Sequence, residues 1–330
     1  MRTLLIIIII LSFSKVLNGQ SIEKFSIDSG GASADLGSME VLYTIGEVNV
    51  QERTSPSIQV SEGFIGPAPR VLVDPKLLLQ GPVLTPVTPG LMNDDLIILG
   101  YMPTTSPYPD EANALASVFN AGGSGGGGLA DDDIVDWVWL ELRDANDNTK
   151  IINARSALLQ RDGDVVDLDG LSSVVMQAAQ NTYYLVVSHR NHLAAMTGNT
   201  YGLSAVTTPI DFSNNGFVSF GSNAQTVLGS GHNALWAGDA KVNGQVRFSG
   251  ADNDTNTIKD YVLADPGNGF NSVTYTSSGY LDIDINMNGG GRFSGSGNDS
   301  NVIKDNVLGH PGNGFNSVTY IISPTVPPGN

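Results

Sequence analysis

A block of 29 residues occurs twice near the end of this chain, and no other feature limits the fold as strongly. Residues 247–275 and 292–320 align without a gap at an offset of 45, with 22 of the 29 positions identical. Self-similarity at a fixed period marks a repeated unit that buries its apolar side against a neighbour. Two copies are too few for a solenoid, so the spacing predicts a packed pair of 45-residue repeats over 238–330.

Each copy follows a short polar loop. The second loop reads Asp284, Ile285, Asn286, Met287, Asn288, Gly289, Gly290. Oxygen-bearing side chains at loop positions one, three and five, with glycine at six, begin a calcium loop, because alternate oxygens ligate and glycine permits the sharp turn. The first loop has Asp239, Asn243, Gly244 and Gln245, but Lys241 stands at position three. An ammonium there would repel a cation or replace it. Position twelve, where such a loop carries its closing acid, is Gly250 or Gly295. Asp254 and Asp299 come four residues later and would close a longer loop. The candidate Ca2+ ligands are Asp284, Asn286, Asn288, Gly290 and Asp299 in the second loop. In the first and weaker loop they are Asp239, Asn243, Gln245 and Asp254. The alternative is a pair of Asx turns held by side-chain to backbone hydrogen bonds. Helices are predicted after the loops, over 257–264 and 302–309.

Most of the remaining chain reads as β. Alternation over 40–45 and 57–60, punctuated by glycine, predicts three or four short strands in an N-terminal segment, 20–68. Pro67, Pro69, Pro75, Pro82, Pro86 and Pro89 follow. Proline cannot donate to a sheet ladder, so this passage is predicted to be a linker or an edge segment. Over 70–210 the alternating runs 134–142, 151–155 and 182–187 predict an antiparallel, immunoglobulin-like β-sandwich. Trp137 and Trp139 share one face of it, as core or as a cross-strand pair, with a ligand platform as the lesser alternative. Residues 211–237 read as a connecting segment with one or two strands. The fold class is mainly β, with a duplicated loop-helix module at the C-terminus.

The formal net charge of −17 argues against a nucleic-acid binder and against electrostatic attachment to an anionic membrane. The absence of cysteine excludes disulfides and thiolate zinc sites. Arg2, an apolar run over 4–11, Lys15 and small residues around Gly19 have the layout of an export signal over 1–19. That run is too short to span a bilayer. The expectation is an exported, extracellular or cell-surface chain with no membrane insertion after signal cleavage.

Other constellations carry less. The glycine run matches the nucleophile-elbow pattern at 122–126 and the dinucleotide pattern at 123–128, without the strand-turn-helix context either needs. His189 and His192 would fall on opposite faces of a continuing strand, but would converge at a turn, where they are candidate metal ligands. The acidic clusters at 131–133, 144–147 and 162–169 read as solvated turns, with calcium binding in an exported protein as the alternative, and Arg155 and Arg161 are near enough to pair with some of them.

Several longer stretches carry a resemblance. They are residues 91–96, 136–144 (Asp136, Trp137, Val138, Trp139, Leu140, Glu141, Leu142, Arg143, Asp144), 155–167, 189–192, 223–225 and 237–239. Through them residues 70–320 resemble secreted Bacteroidetes proteins labelled hemagglutinin-like, and the tail is similar to dockerin-type calcium modules. The resemblance implies a surface protein with a calcium-binding tail. The tail departs from the dockerin pattern: its repeat is longer, Lys241 interrupts the first loop, and Asn243 and Asn288 stand where Asp is usual. Three functions follow as expectations. The first is a non-enzymatic adhesin-like surface or matrix protein binding a cell-surface or matrix ligand, such as a glycan. The second is a self-assembling subunit of an extracellular filament or sheath, whose partner is another copy. The third is a secreted hydrolase using the acidic clusters.

Overall fold

The computed structural model describes strands within 30–61 and all of residues 68–120 and 131–330. The export signal and the glycine motifs at 122–128 lie outside the described residues. The chain divides into two compact units, Met1–Ala68 and Pro69–Asn330. In the first, β1 (Gly30–Leu36) pairs antiparallel with β2 (Met39–Ile45), and β3 (Glu52–Ser55) with β4 (Ile58–Ser61). The three or four predicted strands are thus two hairpins.

The second unit is mainly β, with few helices. Its largest sheet is antiparallel and six-stranded. It runs from β11 (His192–Met196) through β10 (Asn181–His189), β6 (Ile134–Asp144) and β7 (Ile151–Gln160) to β8 (Val165–Val166). The strand β12 (Tyr201–Leu203) also pairs with β10. Central β6 is buried on both faces, as its apolar run requires. Trp137 packs against Phe119 and gives its indole N–H to the Pro103 carbonyl, while Trp139 lies against Tyr108. Trp137 serves the core, whereas half-buried Trp139 gives its indole N–H to Glu141 Oε1 at 3.1 Å.

The proline-rich passage is not a linker. In it β5 (Val71–Lys76) runs between β9 (Val174–Met176) and β13 (Thr208–Asp211) in a second, three-stranded sheet. It pairs antiparallel with β9 and parallel with β13. Strand β9 covers only Val71–Val73, so Pro75 lies beyond the stretch that is paired on both sides. Val71 and Val73 from this sheet join Leu140, Leu142, Leu185 and Val187 from the large one in a single apolar cluster. A short helix, α1 (Asp95–Ile98), buries Leu96 in the same cluster.

Residues 211–237 do more than connect. The hairpin β14 (Gln225–Val227) and β15 (Asn233–Leu235) delivers Ala234 and Leu235 to that cluster, and Leu235 bridges to Leu79.

The C-terminal repeats build a second apolar cluster. It contains Ile258 and Val262 of α2 (Asp254–Ala264) and Ile303 and Val307 of α3 (Asp299–Gly309). Both helices begin three residues earlier than predicted. Asn253 and Asn298 are the caps, each accepting a backbone N–H three residues on, so Asp254 and Asp299 become the first helical residues. The repeats also pair crosswise. After the first loop, β16 (Val246–Arg247) pairs with β19 (Ile321–Ile322), which follows the second repeat. After the second loop, β18 (Gly290–Arg292) pairs with β17 (Thr276–Ser278), which follows the first. Each repeat therefore completes the other's loop exit.

Candidate metal centre

The two loops are built alike in most of their bonds. In the second, Asp284 Oδ1 accepts from the Asn288 N–H at 3.1 Å and Oδ2 from the Gly289 N–H at 2.7 Å. In the first, Asp239 Oδ1 accepts from Asn243 at 2.8 Å and Oδ2 from Gly244 at 2.7 Å. The closing acid sits on the first helical turn, where the positive helix end favours a carboxylate. Asp299 accepts from Ile285, Asn286 and Arg292 N–H groups at 2.8, 3.2 and 2.8 Å. Asp254 accepts from Lys241 and Arg247 at 3.1 and 2.7 Å. Position five also keeps its turn: Asn288 Oδ1 accepts from Gly290, and Asn243 Oδ1 from Gln245, each at 3.0 Å. Asn286 Oδ1 accepts from Asn288 at 3.2 Å. The sharp bend places Val242 and Met287 at φ 55° and 59°, and Gly244 and Gly289 at 75° and 84°. Glycine tolerates this region freely, whereas the β-branched Val242 is strained there.

All four carboxyl groups are buried, with Asp284 and Asp299 both at 0% exposure. Burial pushes Asp284 up to about 6, against the pull of Arg190. Burial and the charge of Asp284 push Asp299 up to about 8. Burial raises Asp239 to about 6, and burial opposed by the Arg247 N–H, with the charge of Asp239 added, raises Asp254 to about 7. Each loop thus holds two acids that resist ionising together, the condition a cation relieves.

The donor set is all oxygen. Among the described residues no group of three or more His, Cys, Asp or Glu side chains converges. A cation in either loop would take its remaining oxygens from amides, main-chain carbonyls and water, a set suited to calcium and unsuited to a thiolate or imidazole metal. The internal hydrogen bonds are those of the Asx turns that the sequence left open.

Lys241 has an acidic partner. Its ammonium lies 2.6 Å from Asp252 Oδ1, two residues before the closing Asp254, and both side chains are exposed. The first loop lacks a side-chain oxygen at position three. Gln245 likewise turns its side chain to Arg247, leaving its main-chain carbonyl as the group it can offer a cation.

Behind the loops lies a junction that sequence reasoning did not assemble. The chain turns between β10 and β11, so His189 and His192 converge, with their Nδ1 atoms 3.0 Å apart. They do not form a metal site. His189 Nε2 is 3.0 Å from Asp136 Oδ2, and His192 Nε2 accepts from the Gly81 N–H at 3.0 Å. This pattern assigns both rings as neutral: His189 is protonated at Nε2 and His192 at Nδ1. Burial lowers the pKa of both, and a proton on His192 would also meet the Arg190 charge and the neighbouring His189 ring.

Asn191 joins both loops to the sheet. Its carbonyl accepts from Gly238 and Asp239 N–H groups at 3.0 and 3.1 Å, and its amide donates to the Asp284 carbonyl at 2.7 Å. A second lock is the reciprocal amide pair of Gln80 and Asn306, 2.7 Å in both directions. Tyr261 holds the position equivalent to Asn306 in the first repeat and is exposed, so only α3 faces this lock. An acid inside the apolar run 134–142 was the available signal for Asp136. Nothing local marked Gln80 or Tyr280.

The acidic clusters resolve into turns and ion pairs. Asp144 and Asp147 close Asx turns, Asp167 pairs with Arg155, and Asp162 and Asp164 pair with Lys76. Arg161 lies near Asp94, at 3.5 Å, and its main-chain N–H donates to the Asp133 carbonyl at 3.0 Å. Comparison of the chain with protein-family models, with curated proteins and with solved structures returned no match.

Proposed function

We propose that this chain is a non-enzymatic extracellular protein, an adhesin-like surface or matrix module, whose C-terminal repeats bind calcium and thereby fix the β-rich body. The observation that carries this reading is the pair of buried carboxylates in each repeat loop, Asp239 with Asp254 and Asp284 with Asp299, raised toward neutrality and surrounded by oxygen donors. In the extracellular environment calcium is abundant enough to occupy modest loop sites. The crosswise pairing of the repeats favours a rigid, duplicated, dockerin-like module on a sandwich of the immunoglobulin-like kind. The non-enzymatic part rests on the junction. Asp136, His189 and His192 are buried there and spend their polar atoms on one another, on neighbouring side chains and on the backbone.

Calorimetric titration of the mature chain with calcium tests it. Two binding events are expected, the tighter at the second loop. Asp284→Ala should remove that event and lower the melting temperature in calcium but not in chelator. Ligand at about 100 times its dissociation constant stabilises by about 2.7 kcal/mol, so the shift is readily measured. No heat, and no calcium-dependent melting shift, would end the proposal. Supplying the missing oxygen with Lys241→Asn should tighten the first loop about tenfold, since affinity follows ligand count. Weaker binding in that variant would show that Lys241 contributes through its partner Asp252.

A further inference from the structure

Phe270 and Phe315 occupy equivalent positions in the two repeats, and each is 97% exposed. Scattered exposed apolar residues are normal on proteins. Two identical rings, each at the tip of an identically braced loop, call for another account. Asn268 holds the first loop, donating to the Val262 carbonyl at 2.8 Å and the Ser272 carbonyl at 3.0 Å and accepting from the Ser272 N–H at 2.8 Å. Asn313 repeats the same three bonds at 2.7, 2.9 and 2.9 Å. The rings are therefore presented on fixed backbone, which reduces the ordering cost of docking them.

The same molecule offers a receptor. A surface cavity of about 510 Å³ lies between residues 78–91 and 226–232, with Leu78, Val83, Leu84, Pro86, Leu91 and Leu228 among its walls. No Asp, Glu, Lys or Arg lines it. The tips are equally free of charge: residues 266–280 and 311–330 carry none. On a chain of net charge −17, two copies repel over most of their surface, and these neutral patches are where they can approach.

We propose that the Phe270 or Phe315 tip of one copy seats in this cavity on the next, so that the chain associates head to tail. Ring and cavity belong to different elements, so the contact is heterologous and extends rather than closing on itself. A single aromatic anchor gives a small contact, with an expected dissociation constant on the order of 0.1 mM.

Sedimentation velocity on the mature chain in calcium tests this at rising concentration. The average mass should rise for the unmodified chain. Phe270→Ser/Phe315→Ser should weaken association about tenfold or more, as loss of a central aromatic anchor does. Gly229→Glu should do the same from the cavity side. A Cβ at Gly229 meets nothing within 4 Å, so the added charge leaves the fold intact. Mixing the two variants should form small complexes that do not extend, with one or two ringless copies on each ring-bearing copy, because one variant supplies the cavity and the other the rings. The inference is overturned if the unmodified chain stays monomeric to about 0.5 mM, a concentration well above the expected dissociation constant. It is also overturned if the ringless variant associates normally or if the mixture remains monomeric. A chain that failed to bind calcium would leave this result standing, because ring and cavity share no residue with the loops.

Discussion

In chelator, the melting temperature of this protein is expected to fall as the pH is raised from about 4 to 8, and calcium is expected to restore it at the upper end. The folded pKa values of Asp239, Asp254, Asp284 and Asp299 are about 6, 7, 6 and 8, all above the usual 3.8. The folded state then holds more protons than the unfolded chain. The stability these acids contribute is fully present below pH 3.8 and is lost as pH rises through the folded values. Calcium takes the place of the protons, so its binding near pH 7 should release protons, and the measured heat should vary with the buffer's ionisation enthalpy. A loss of several kcal/mol corresponds to roughly 10 °C in melting temperature for a unit of this size. Asp299→Asn separates the electrostatic account from a packing one. At pH 8 it should stabilise the chain in chelator, where one buried charge is gone, and destabilise it in calcium, where a ligand is gone. Equal destabilisation in both conditions would sink the account.

The second large effect is expected at the junction. Asp136 is at 0% exposure and receives four donors: His189 Nε2, Arg190 Nε, the Tyr280 hydroxyl and the Trp137 N–H. Burial would raise its pKa, but the Arg190 guanidinium and His189 outweigh it and hold the carboxyl near 2. Arg190 also lies 4.3 Å from the centre of the Tyr280 ring and donates to the Leu281 carbonyl. Removing one member of a buried ion pair leaves the other uncompensated, at a cost of about 3–5 kcal/mol. Urea unfolding of Asp136→Asn and of Arg190→Met should each show a loss of that order. The double variant should recover a large part of it, with a coupling of about 2 kcal/mol or more. Additive losses would mean that each side chain acts through packing alone. The sign of the acid response is opposite to that of the loops. The stability from Asp136 is present above pH 3.8 and is lost as pH falls through about 2.

Both effects bear on how the sequence should be read. The loops were legible because calcium-type loops and Asx turns are local: Asp284, Asn288 and Gly289 are within five residues of one another. The helix starts were misplaced by three residues because the caps Asn253 and Asn298 were taken for loop. The partner of Lys241 was not legible, because position in a loop does not fix where a long side chain ends. Its ammonium meets Asp252, eleven residues away. Of the two readings of the proline passage, the linker fails, and Pro75 keeps the proline rule because β9 stops short of it and leaves it paired on one side only.

By itself the sequence determined the β character of the body, the duplicated loops and helices, and the acids that line them. Periodicity and turn chemistry act within a few residues, and they do not depend on the rest of the chain. Only the tertiary structure decided that His189 and His192 share a proton-ordered turn, that Asn191 ties both loops to one sheet, and that Asp136 meets Tyr280 across 144 residues. It also decided that the repeats pair crosswise, since β16 and β18 find their partners beyond the other loop. Those contacts follow from burying polar groups together at the boundary of two apolar clusters. There every donor and acceptor needs a partner, and the fold, not the distance along the chain, supplies it.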